Sequence, residues 1–330
     1  MEVSRLENLP PPPGIINSIK AGFDAIAAHI TAILLPLLLN LFLWLGPRLR
    51  MDALYKSIEG DMVTIWQAGR ISAEDIQVML ETYNRMFQSL NLFGLLRTVP
   101  IGISSLFTPT QLTFATPLGD SANLQVTGLS LPLWMFLLTL VGWVGGALYF
   151  RNVAWAALAE KFTATPVFRA VVQSVMVSIL CNLILMTIAV PVLLVLFVAM
   201  QISVVLANLI VLFLALGSVW VIVPLFFWAH GVFLNRQNVF TSIMSSIQLT
   251  RFTLPTSSLF VMTVFLLSYG LSFLWRIPSL DSWMTLLGIF GHSFVNTALL
   301  AASFIYYRDM SLWVQAVLEK LRPNNIVKQA

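Results

Sequence analysis

Apolar positions in this chain fall in long unbroken runs, not in the alternations or stripes of a soluble fold. Five stretches carry no Asp, Glu, Lys or Arg: Ala25 to Pro47, Leu131 to Phe150, Ala170 to Ala229, Leu254 to Trp275 and Ser282 to Tyr307. A helix crosses the roughly 30 Å hydrocarbon core with about 20 residues, and the third run is long enough for two crossings. The pattern predicts an all-α integral membrane protein with about six transmembrane helices.

Punctuation refines the spans. The first, about Ala27 to Gly46, ends at Gly46-Pro47 and contains Pro36, which predicts a kink within it. The second stops at Arg151. Met200-Gln201-Ile202-Ser203 is the plausible break in the long run, giving spans at Ser174 to Met200 and Val204 to Ala229. The fifth runs Thr256 to Trp275 and the sixth Trp283 to Tyr306.

The entries and exits of these spans look alike. Ser130-Leu131-Pro132-Leu133-Trp134-Met135 resembles Ser279-Leu280-Asp281-Ser282-Trp283-Met284, and Tyr149-Phe150-Arg151-Asn152 resembles Tyr306-Tyr307-Arg308-Asp309. Amphipathic stretches follow the exits: Asn152 to Gln173, Gln237 to Thr253 and Met310 to Leu321. The unit read here is an interfacial helix followed by a hairpin, three times over.

Between Arg48 and Ser130 lies an insert holding Asp52, Glu59, Asp61, Glu74, Asp75, Glu81 and Asp120, half of the chain's 14 acids. It predicts helices at Asp52 to Gln67 and Ser72 to Leu90, with Ser72 as N-cap and acids in the first turn. Asn91 to Phe107 reads as an interfacial segment, and Thr108 to Gly128 as turns and strand. The chain thus divides into a Pro-rich leader (1–14), an interfacial helix with the first span (15–47), a mainly helical extracytoplasmic insert (48–130), a five-span bundle with interfacial helices (131–307) and a cytoplasmic amphipathic tail (308–330).

Composition agrees with the class: 58% hydrophobic, 10% charged and a mean hydropathy of +0.87, against about 25% charged for a soluble domain. The net charge of +4 is spread beside the spans and forms no dense basic block, so nucleic acid is not an expected partner. Basic residues in short loops favour one face, which predicts cytoplasmic N- and C-termini in a cell (plasma) membrane. Arg48 and Arg50, directly after the first span, run against that orientation. The lone Cys181 sits in an apolar run and reads as a buried side chain.

Ionisable and amide groups inside a bilayer are costly and mark functional candidates. Gly288, His292, Asn296 and Ser303 form a small, polar stripe on the sixth span, and with Asn182 they make the candidate intramembrane polar site. Leu287, Phe290, Phe294 and Ile305 are expected nearer lipid. Gly142 and Gly146 permit close helix packing. His230, beside Trp228, reads as an interface anchor, and Lys20 with Asp24 as an i,i+4 pair. Asn40, Asn182 and Asn208 are expected to bond neighbouring helices. No HExxH, Walker A, GxSxG, GxGxxG or CxxC is present in the sequence, so no catalytic, metal or cofactor residue is expected.

In layout, Asn238 to Asp309 resembles the last third of bacterial six-span families built from three hairpins with intervening interfacial helices, among them the membrane domain found beside glycerophosphodiester phosphodiesterases. The resemblance implies the hairpin fold and brings no catalytic residue to any position here. The function expected is that of a non-enzymatic scaffold or subunit organising a membrane complex or envelope process, with membrane lipids and other membrane proteins as partners. The alternative is a transporter or lipid-handling protein with a polar path near His292 and Asn296.

Overall fold

The computed structural model describes residues 11–107, 116–158 and 165–321. In chain order the helices are α1 (Ile15–Ala28), α2 (Leu34–Leu45), α3 (Asp52–Ala68), α4 (Ala73–Ser89), α5 (Leu131–Leu158), α6 (Val167–Ile202), α7 (Val204–Phe227), α8 (His230–Leu234), α9 (Val239–Trp275) and α10 (Thr285–Leu321), with two short strands, β1 (Arg48–Arg50) and β2 (Asn123–Gln125). Among the described residues five helices are long and apolar enough to cross a membrane, or six if the bent pair Ile15–Ala28 and Ile30–Leu45 is one span. The protein is therefore an all-α membrane protein. The chain clusters into two compact units, one of Met1–His29, Phe150–Leu267 and Thr297–Ala330, the other of Ile30–Tyr149 and Ser268–Asn296.

Three features of the first unit decide its packing. In α1, Ser18, Gly22 and Ile26 form the buried face. A Cβ on Gly22 would lie 2.5 Å from the Ala298 carbonyl and the Ala302 nitrogen, so α1 meets α10 backbone against backbone. At the break between α7 and α8 the helix-end carbonyls need donors. Ser246 Oγ donates to Pro224 O and Ser242 Oγ to Trp228 O, both at 2.6 Å. The basic residues at the exits act as donors too: Arg151 Nε to Thr165 O and Arg169 Nη2 to Arg236 O, each at 2.7 Å.

The α6–α7 pair turns at Ser203, whose hydroxyl accepts from Val205 N at 3.2 Å. The break is where the polar interruption in the long run placed it, and Pro191 leaves α6 continuous. Only 6% of the most apolar window of either helix is buried within the molecule, against 67% for α10.

In the second unit, β1 and β2 pair in parallel, Arg48 with Asn123 and Arg50 with Gln125. Leu49, Leu92, Val126 and Leu138 close a small core behind them. Ser72 caps α4 by accepting from Asp75 N at 3.1 Å, and Arg70 takes the left-handed turn (φ 58°) between α3 and α4.

Several expectations need correction. Pro36 does not kink a span: the helix breaks earlier, at His29, and Pro36 sits in the first turn of α2, where a missing N–H costs nothing. Asn91 to Phe107, read as an interfacial segment, is a 3-10 turn at Leu92–Leu96 followed by irregular chain. The exit stretches are not separate interfacial helices at two of three places. α5 runs through Arg151 to Leu158, with residues 159–164 outside the described set, and α10 runs through Arg308 to Leu321. The exit stretch before the fifth span is set off by a break, at Thr253 (φ −125°, ψ 18°). There Pro255 cannot extend the helix from the preceding turn, and Thr253 Oγ1 donates to Leu249 O at 2.8 Å. Leu287 and Phe290 are exposed as expected, whereas Ile305 is buried at 6% exposure.

Candidate functional site

The polar stripe of the sixth span does not form one site. In the second unit, the C-terminal turns of α9 face the N-terminal turns of α10 in an antiparallel ladder. Trp275 O lies against Gly288, Ser272 Oγ is 3.1 Å from His292 Nδ1, and Ser268 Oγ donates to Asn296 Oδ1 at 2.5 Å. Each rung moves one turn along both helices. Gly288 and Gly291 are required here because a Cβ at either would strike the Trp275 carbonyl or ring.

Asn296 Nδ2 lies 3.0 Å from His292 O and 3.1 Å from His292 Nδ1. An amide N–H aimed at Nδ1 requires its lone pair, which assigns the proton of a neutral ring to Nε2. His292 is 3% exposed, and Nε2 has no hydrogen-bond partner among the described residues. The site can hold a hydrogen-bond donor toward something not supplied by its own helix pair.

Ser303, although on the same helix, belongs to the first unit and is engaged elsewhere. His230 Nε2 is 2.8 Å from Ser303 Oγ, and the ring stacks on Phe226 with Phe227 edge-on and Phe304 and Tyr307 tilted against it. At 2% exposure His230 is no interface anchor. The adjacent Gly231 explains the burial, since a Cβ there would meet Ser242 Oγ at 2.5 Å. Nearby, Tyr306 stacks on Phe260 with centroids 4.0 Å apart, and its hydroxyl is 3.3 Å from Ser257 Oγ. Asn182 is exposed on α6, its amide donating to Ser178 O at 2.7 Å, and Cys181 beside it is a buried free thiol. Lys20 and Asp24 form no ion pair among the described residues. His29 instead meets the Trp155 edge at 5.2 Å.

Gly142 and Gly146 are close-packing positions, but their partner is not a helix. Cβ atoms there would lie 2.8 Å from Leu96 O and 2.7 Å from Ile101 O. The irregular segment from Arg97 to Phe107 therefore runs along the middle of α5. Non-helical backbone at that depth survives only if protein groups satisfy it. Asn40, fully buried, does much of this. Its Oδ1 accepts from Leu106 N at 2.7 Å and Ser105 Oγ at 3.0 Å, while Nδ2 donates to Pro36 O at 2.7 Å and Ser104 O at 3.4 Å. The segment's end is held by two arginines, Arg97 Nη1 donating to Phe107 O at 2.5 Å and Arg276 Nε to Leu106 O at 2.8 Å. Burial first, and the Arg276 charge second, push the Arg97 guanidinium below its ordinary value, with Tyr269 opposing.

Sequence reasoning passed over these two arginines, because their meeting depends on the path of a segment with no helical period. The i,i+4 spacing of Ser268 with Ser272 and of His292 with Asn296 could have signalled the ladder. The first unit also holds a cavity of about 440 Å³ lined by Gln237, Ser245, Gln248, Arg251, Tyr307 and Gln315 among others. Among the described residues no group of His, Cys, Asp and Glu could hold a metal ion. No protein-family model, no curated protein and no solved structure matches the chain.

Proposed function

We propose that this is a multi-pass protein of the cell membrane that does no chemistry of its own and serves as a scaffold or subunit organising a membrane complex or envelope process. The observation that carries the reading is the α6–α7 pair. Leu194 and Phe213 are 61% and 71% exposed, and the helices around them are apolar on every side. Such surface is covered either by lipid or by the helices of a partner, and packing between transmembrane helices needs no further hydrophobic drive.

A photo-crosslinking side chain at Leu194 or Phe213 is expected to give one discrete heavier protein species in native membranes. The equally exposed Leu266 on α9 should give none. Lipid adducts alone at all three positions would overturn the reading.

The accompanying topology places both termini in the cytoplasm and the 48–130 insert on the outer side, with its Arg97–Phe107 stretch reaching in along α5, following the basic residues of the short loops. In a Cys181→Ser background, Ala122→Cys should react with an impermeant maleimide in intact cells. Reaction only after permeabilisation reverses the orientation. The layout of interfacial helices with hairpins, as in the six-span families resembled, is supported by the two broken helices at His29 and Thr253.

A second reading, a lipid-handling or transport protein, is favoured by the partnerless Nε2 of His292. It expects proteoliposomes to scramble a fluorescent phosphatidylcholine faster than protein-free vesicles, with the rate falling in His292→Ala. Equal rates for protein-free, wild-type and variant vesicles count against it.

A further inference from the structure

We propose that Arg97 and Arg276 together bind a phosphate group, carried by a lipid headgroup or free in solution. The inference stands apart from the scaffold reading, because it rests on the geometry of the second unit alone. The two side chains hold the carbonyls of Phe107 and Leu106, consecutive residues whose Cα atoms are about 3.8 Å apart. The two guanidiniums, Arg97 half-buried and Arg276 exposed, are within each other's electrostatic reach. A guanidinium has five N–H donors, and a carbonyl occupies one.

Among the described residues neither arginine is ion-paired to an acid. The ion pairs among the described residues are Arg50 with Asp52, Arg85 with Glu81 and Arg308 with Asp309. Residues 108–115, which follow Phe107 directly, contain no acid, and Asp281, five residues past Arg276, is exposed. Burial lowers the affinity of the Arg97 guanidinium for its proton, and the Arg276 charge lowers it further.

His292 lies within electrostatic reach of both arginines, and its buried Nε2 has no partner; neither has the buried indole N–H of Trp275, beside Arg276. The unmet groups are thus cationic or N–H donors. The ligand that fits is an anion with several acceptor oxygens. Phosphate engages guanidinium forks two bonds at a time and has oxygens enough for both, whereas a metal cation would be repelled.

The test uses the full chain, delipidated in neutral detergent. Binding of phosphatidylglycerol, diacylglycerol and inorganic phosphate is compared for the wild type, R97Q, R276Q and R85Q, the last removing an exposed charge elsewhere. R97Q and R276Q should weaken binding of phosphatidylglycerol or of phosphate about tenfold or more, with R85Q unchanged. If inorganic phosphate alone binds the wild type and raises its thermal midpoint over chloride, the site takes free phosphate. If only phosphatidylglycerol binds, the ligand is a headgroup. Equal weakening by R85Q overturns the proposal. So does a wild type that gains no stability from phosphate and shows no preference for phosphatidylglycerol over diacylglycerol, which lacks the phosphate, whether or not the variants fold.

Discussion

Asn40→Ala should be the most damaging single truncation in the second unit. One amide serves the Leu106 N–H, the Ser105 hydroxyl and the Ser104 carbonyl, and alanine strands the first and the last, while the hydroxyl keeps Phe107 O as an acceptor. Each unsatisfied buried group costs about 1–3 kcal/mol, so the sum is about 2 kcal/mol or more. Thermal unfolding in a mild detergent should show a large fall in midpoint. Asn40→Asp retains the acceptor but loses the donor and brings a charge into an apolar setting, so it should not rescue. A midpoint for Asn40→Ala within error of the wild type would remove the anchoring role.

Gly146→Val is the second large effect, and it differs in kind because it adds atoms. Even the first carbon would sit 2.7 Å from Ile101 O and 2.8 Å from Gly102 Cα, so the segment must leave α5. Overpacking typically costs about 1–3 kcal/mol, and here the burial of Ile101, Ile103 and Leu106 is lost with it. In a Cys181→Ser background, Ile101→Cys should resist maleimide in the parent and react when Gly146→Val is added. Gly217→Ala provides the control, since nothing lies within 4 Å of a Cβ there, and it should leave folding intact. Protection of Ile101→Cys in both proteins would refute the packing.

Both residues were visible before the fold was, but their partners were not. A small-residue pair spaced by four reads as a close-approach surface from sequence alone, and an asparagine in an apolar helix reads as a polar contact. What each would touch depends on the path of Arg97 to Phe107, which has no helical period to follow. The charge-free runs, the Ser203 corner and the Ser72 cap were legible because their signals are local: length, one polar interruption, one hydroxyl before two acids. Pro36 misled for a related reason. Proline forbids a continued helix upstream but does not say where the chain yields, and here it yields at His29. His230 shows the opposite failure, in which a neighbouring tryptophan suggested an interface and the Gly231 contact with Ser242 placed the ring in the core instead.

The α9–α10 ladder also bears on how that pair can move. Rotating either helix by one residue turns its polar groups about 100° away from their partners, leaving buried hydroxyls and an imidazole facing hydrocarbon. The next alignment that faces serine to histidine or asparagine again is a full turn away, about 5.4 Å along the axis, and it forfeits a rung at one end. Sliding between these two helices is therefore graduated, with detents set by the serines, so any motion between them would come in steps of a turn.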